Sequence, residues 1–137
     1  MNDLHWEIAP MSEAVTNGIR VEVLCRYVPE NSRPSLHEYV FQYTVRITNQ
    51  GTETVQLVSR HWIITDSDNR VQEVRGLGVV GEQPKLKPEE SFEYTSGTSL
   101  ATPVGTMRGT YQMIADDGVA FEATIPEFTL SIPRVLH

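Results

Sequence analysis

The sequence predicts an all-β domain, an antiparallel sandwich of seven to eight strands. Three observations lead there. Apolar residues alternate with polar ones at a period of two along most of the chain. Segments rich in Asn, Asp, Gly and Pro interrupt that alternation about every 8–12 residues. No stretch carries the apolar stripe of an amphipathic helix. A length of 137 residues corresponds to one domain. Residues 1–16 read as a variable N-terminal arm and residues 17–137 as the sandwich.

The elements follow in order. Ile19, Val21, Val23, Cys25 and Tyr27 alternate with Arg20, Glu22 and Arg26, as a strand with one buried face requires. Tyr39, Phe41, Tyr43, Val45 and Ile47 repeat the pattern, and Asn49-Gln50-Gly51 closes it with turn chemistry. From Leu57 to Ile64 apolar residues occupy both parities, so this strand is either covered on both faces or bulged. Asp66-Ser67-Asp68-Asn69 predicts a hairpin turn with Asn69 tolerating positive φ, and Val71 and Val74 open the next strand. Pro84, Pro88 and Glu89-Glu90 mark a corner, with Glu89 expected to avoid positive φ in a type I turn. Phe92 and Tyr94 resume the alternation. Met107, Gly109, Tyr111 and Met113 form a strand turned by Asp116-Asp117-Gly118, and Val119, Phe121, Ala123 and Ile125 return. Pro126 is expected to interrupt the chain before Phe128, Leu130 and Ile132 close it. Such a series of short strands has immunoglobulin or fibronectin type III character.

Composition narrows the function. Eleven Lys and Arg against 18 Asp and Glu give a net charge of −7, the wrong sign for a general binder of nucleic acid or anionic membrane. Cys25 is the single cysteine, so no intrachain disulfide forms, as befits a reducing compartment. Residues 1–7 have neither a basic n-region nor an apolar h-region, so no secretory signal is expected and the cytoplasm is the expected location. Self-association is expected to be absent or weak.

The segment from Arg75 to Pro84 contains Gly76-x-Gly78-x-x-Gly81, the spacing of a dinucleotide-binding glycine loop. In that fold the loop leads into a helix whose N-terminus holds the pyrophosphate. Here Glu82-Gln83-Pro84-Lys85-Leu86-Lys87-Pro88 follows, which cannot start a useful helix. A Rossmann site is excluded on that context. The glycines are expected to serve an irregular strand or a loop lying close against the sandwich. The functional alternative is an anion-binding nest of backbone N–H groups with Arg75 as counter-charge and Arg60 or Arg108 adding to it.

Other candidates are weaker. His5, His37, His61 and His137 lack zinc-site spacing, and no cofactor is expected. His61 is read as a partly buried strand residue rather than a ligand or base. Asp66, Asp68 and Asn69 lack the glycine and terminal glutamate of a calcium loop and read as a solvated turn, as does the Asp116-Asp117 pair. Cys25 sits at an inward parity, and Trp62 and Tyr94 read as core. No serine occupies a nucleophile elbow, and no base, nucleophile and oxyanion donor assemble, so an enzyme is not expected.

The chain resembles the ApaG family from about Gly18 to Phe128. The resemblance is carried by Tyr39-Val40-Phe41-Gln42-Tyr43-Thr44-Val45, by Leu57-Val58-Ser59-Arg60-His61-Trp62 and by Glu73-Val74-Arg75-Gly76-Leu77-Gly78-Val79-Val80-Gly81-Glu82-Gln83-Pro84. Phe92-Glu93-Tyr94-Thr95-Ser96-Gly97, Gly105-Thr106-Met107-Arg108-Gly109-Thr110-Tyr111 and Ile125-Pro126-Glu127-Phe128-Thr129-Leu130 extend it. It departs at Pro88-Glu89-Glu90, where many members read Pro-Gly-Glu, and at Asp66-Ser67-Asp68-Asn69, where many read Asp-x-Asp-Gly. The resemblance implies a fibronectin-III-like sandwich and a bacterial protein often encoded beside a diadenosine tetraphosphate hydrolase and associated with cobalt and magnesium homeostasis. Similar domains in eukaryotic F-box proteins and in a DNA-polymerase-interacting protein act in protein contacts, and no enzymatic activity is implied. The expectation is a non-catalytic module that binds another protein. The second reading is a sensor of a phosphorylated small molecule or divalent metal at the glycine segment.

Overall fold

A computed structural model describes residues 11–133. The strands are β1 (Ser12–Thr16), β2 (Ile19–Tyr27), β3 (Tyr39–Asn49), β4 (Val55–Asp66), β5 (Val71–Leu77), β6 (Lys85–Leu86), β7 (Ser91–Leu100), β8 (Val104–Ala115) and β9 (Ala120–Ser131). Single 3-10 turns at Pro29–Asn31 and Pro34–Leu36 link β2 to β3, and no α-helix occurs among the described residues. Two antiparallel sheets form, one in the order β1-β2-β3-β7, the other β5-β4-β8-β9 with β6 also beside β4. The all-β sandwich predicted from the alternation is the fold observed.

The alternation dictates the core. Ile19, Val21, Val23, Phe41, Tyr43, Val45 and Ile47 of the first sheet bury against Leu57, Trp62, Ile64, Met107, Tyr111, Ala123, Ile125 and Leu130 of the second. The Trp62 ring lies at the centre, edge-on to Tyr43, Tyr111 and Phe128 at centroid distances of 5.2, 6.4 and 6.0 Å. Cys25, half-buried beside the core, donates its thiol to Thr129 O. Along one flank β9 packs closely on β1 and β2; β5 and β7, which border the other flank, make no comparable approach.

Four details depart from the sequence reading or resolve it. First, Ser12–Thr16, placed in the arm, form strand β1 paired with β2, and Asn17 and Gly18 turn the hairpin at φ +47° and +79°. Asn-Gly suits that two-residue turn because both positions need positive φ. Residues 1–10 of the arm lie outside the described residues. Second, β4 is bulged: its register with β8 slips between Leu57 and Ser59, and Val58 is the extra residue. Third, Pro126 does not interrupt β9. It falls where the β8–β9 register shifts, between the Gly109–Ile125 and Met107–Phe128 pairs, so its missing N–H removes no ladder bond.

The fourth correction concerns Glu89, which has φ +73°. With Glu90 N–H bonded to Lys87 O, Lys87-Pro88-Glu89-Glu90 is a type II turn, not type I. The corner is held by Asn49, fully buried at the end of β3. Its backbone accepts from Glu89 N–H and donates to Glu90 O, while its amide Nδ2 donates to Glu53 O and Leu86 O. These bonds outweigh the left-handed penalty on a glutamate.

Candidate functional site

The glycine segment lies beside the β4 bulge. β5 and β6 pair with the two ends of β4 on the same side, and residues 78–84 fill the gap between them. The bulge carbonyl of Val58 accepts from Gly78 N–H at 2.8 Å and from Gln83 Nε2 at 2.9 Å, and Leu57 N–H donates to Pro84 O. Val79 plugs into the core. The chain then reverses at once, with Val79 N–H to Glu82 O and Glu82 N–H to Val79 O, through a two-residue turn at Val80 (φ +44°) and Gly81 (φ +82°). Two successive positive φ values make this a type I′ hairpin.

Each glycine has a definable task. Gly78 has φ +62°, and a Cβ there would fall 2.2 Å from Glu82 O, so both torsion and space demand glycine. Gly81 meets only the torsional demand, since its Cβ would enter open space. Gly76 lies opposite Arg60 in the β4–β5 register, and a Cβ would come within 2.9 Å of both Nη1 and Nη2 of that arginine. Its absence lets the guanidinium lie flat against the strand.

The structure separates the three arginines assigned to the nest. The extra residue Val58 shifts the parity of β4, so Arg60 shares the inward face of Trp62. Arg75, on β5 opposite His61, points outward and is exposed, 3.6 Å from Glu73 Oε1. Arg108 pairs with Ile63 and is also exposed. Arg60 is therefore not brought to one site with Arg75. Its Nη1 donates to the carbonyl oxygens of Leu77 (3.1 Å) and Gly78 (2.8 Å). The Gly78 and Val79 amides, which an anion nest would need, already serve Val58 O and Glu82 O. What the segment turns toward the nearest cation is its carbonyls.

Around Arg60 lies a set of hydroxyls that the alternation alone did not single out. Tyr94 and Tyr111 hydrogen-bond through their hydroxyls from β7 to β8, across the two sheets, and the Tyr43 hydroxyl bonds to Ser96. Burial pushes all three phenols up, Tyr94 and Tyr111 strongly; the Arg60 charge opposes the shift only in part. These groups stay neutral under ordinary conditions. They tie the sheets together and offer no ionised nucleophile.

The remaining candidates resolve into structural contacts. His61 Nε2 lies 2.7 Å from Glu73 Oε1 on the outer face. Asp66 Oδ1 accepts the N–H groups of Asp68 and Arg70, and Oδ2 accepts Arg70 Nε at 2.7 Å. Burial alone would raise the Asp66 carboxyl, but these bonds and the Arg70 charge hold it below the usual range. Asn69 takes positive φ as read, and His37 occupies a left-handed position after the second 3-10 turn. No three His, Cys, Asp or Glu side chains among the described residues gather to hold a metal ion. His5 and His137 lie outside the described residues. No described helix is long and apolar enough to cross a membrane.

The model of the ApaG domain matches residues 29–115, from the first 3-10 turn to the end of β8. The chain belongs to the ApaG family. Protein ApaG of Nitrosospira multiformis is 58% identical over 127 residues, covering 93% of this chain and 100% of that protein. Protein ApaG of Bordetella pertussis is 62% identical over 119 residues, covering 87% and 91%. The crystal structure of the ApaA protein from Bordetella pertussis superposes with a TM-score of 0.83 at 57% identity, covering 93% of this chain and 99% of that one. The C-terminal domain of wzt, 9% identical with a TM-score of 0.53, shares only the fold. Membership in the ApaG family thus accounts for the motifs quoted above.

Proposed function

We propose that this ApaG-family chain is a non-catalytic binding module acting in the cytoplasm, and that its ligand is another protein. The observation that carries this reading is Val80. It is a β-branched residue held at φ +44° while 54% of its surface faces solvent. Such a backbone costs roughly 1–2 kcal/mol, and asparagine or glycine would remove most of that cost. An apolar side chain kept exposed at such a cost, on a hairpin anchored by buried Val79, is suited to enter an apolar recess on a partner. The anion-sensor reading has less support, because the segment's inner amides are already bonded. The association with cobalt and magnesium then runs through the partner, since Asp66, the one buried turn carboxylate among the described residues, is already engaged by Arg70.

The test is affinity capture from cytosol with wild-type and Val80→Asn baits, followed by measurement of affinity for the protein retained. A partner held by wild type and released by the folded variant supports the reading. Equal retention by both baits would refute the role of Val80.

A further inference from the structure

Among the described residues strand β5 ends its sheet, with β4 on one side and no strand on the other. Gly78 N–H bonds toward Val58 on β4. By the alternation of an antiparallel ladder, the backbone groups of residues 72, 74 and 76 also face β4. Those of Val71, Glu73 and Arg75 and the N–H of Leu77 face away from the sheet, while the Leu77 carbonyl accepts from Arg60 Nη1. The same four residues project side chains on the outer face, and Val71 and Leu77 are 61% and 76% exposed. An edge of seven residues, with two apolar side chains bare and no proline or lysine, is guarded against pairing only by the charges of Glu73 and Arg75, which a partner of opposite charge would satisfy.

The sequence of this edge is complementary to itself. If two copies pair antiparallel about a two-fold axis through Val74, residue i faces residue 148 − i of the other copy. Glu73 then meets Arg75 of the second copy, Arg75 meets Glu73, and Val71 and Leu77 cover each other. Val71, Glu73 and Arg75 turn their N–H and C=O groups outward, as Leu77 turns its N–H while its carbonyl already accepts from Arg60 Nη1, so these pairs are also the hydrogen-bonded ones. Shifting the axis by one residue either way sets Glu73 against Glu73 or Arg75 against Arg75. Half-step registers put outer side chains against inner ones. A single register therefore satisfies backbone, charge and apolar groups together.

From this we infer that β5 is a homodimerisation edge, joining two copies through Glu73–Arg75 and Val71–Leu77 pairs into one continuous sheet. Seven residues span about 23 Å of edge. That buries less than the roughly 800 Å² per partner of a standard stable interface, so the dimer is weak and concentration-dependent.

Sedimentation equilibrium at low salt, over about 10 μM to 1 mM protein, tests the inference. Wild type should shift from monomer to dimer across that range. Glu73→Arg and Arg75→Glu should each lower association about tenfold or more, because like charges then face each other twice. An equimolar mixture of the two variants should recover a heterodimer of wild-type strength, since both facing pairs again carry opposite charge. That recovery would also show that neither substitution harmed folding. A wild type monomeric throughout, variants that dimerise as wild type does, or a mixture that stays monomeric would each overturn the proposal.

Discussion

Replacing Val80 by asparagine should make the protein more stable while removing part of its binding surface. The type I′ turn places Val80 at φ +44° and Gly81 at φ +82°. Left-handed backbone costs an L-residue roughly 1–2 kcal/mol, and a β-branched one belongs at the upper end; asparagine tolerates it well, and Asn-Gly is a favoured pair for this turn. Against this stands the apolar cover that Val80 supplies. With 54% of its surface exposed, valine forfeits only part of the roughly 1.5–3 kcal/mol of full burial, and asparagine shields much of the same backbone. The net gain is about 0.5–1 kcal/mol. For a domain of this size the unfolding entropy converts that to a rise in Tm of roughly 2–3 °C. Thermal and urea unfolding followed by circular dichroism measure it. A Tm equal to or below wild type, with an unchanged spectrum, would refute the claim that Val80 is strained. The same variant retaining full partner affinity would refute the claim that the strain serves contact.

The other glycine positions of the hairpin should separate torsion from space: Gly81→Ala should cost about 1 kcal/mol, the left-handed penalty alone, and Gly78→Ala distinctly more by urea unfolding, because its Cβ would overlap Glu82 O. Buried Tyr94 and Tyr111 have raised pKa values, so both states keep them protonated below the unfolded pKa near 10, and stability should fall as pH rises above it; Tyr94→Phe with Tyr111→Phe should flatten that fall in melts taken from about pH 9 to 11. Asp66 behaves in the opposite sense. Its pKa is lowered, so its contribution is present above the unfolded carboxylate value and is lost as pH falls through the folded one; the gap in Tm between wild type and Asp66→Asn should be open at neutral pH and close below about pH 4.

The sandwich itself was legible because burial of one sheet face imposes a period of two. Every strand long enough to show that period, from β2 and β3 to β8 and β9, was read near its observed place. β1 was missed although Asn17-Gly18 is a strong hairpin signal, because five residues of mixed polarity carry little pattern. Pro126 and Glu89 misled for one reason. Each breaks a local preference whose cost is met elsewhere, by a register shift in one case and by buried Asn49 in the other.

At the candidate site the division is equally physical. The sequence by itself determined that Gly76, Gly78 and Gly81 could not form a dinucleotide loop, because Pro84 and Pro88 forbid the helix that such a loop requires. It determined the domain's class, its acidic balance and the family motifs. Only the tertiary structure decided which way Arg60 points. One extra residue at Val58 reverses side-chain parity, and a bulge is set by the pairing of β4 with β8, strands about 50 residues apart in sequence. Likewise, the left-handed state of Val80 follows from anchoring Val79 in a core built by both sheets, which no local preference of a Val-Val-Gly segment encodes.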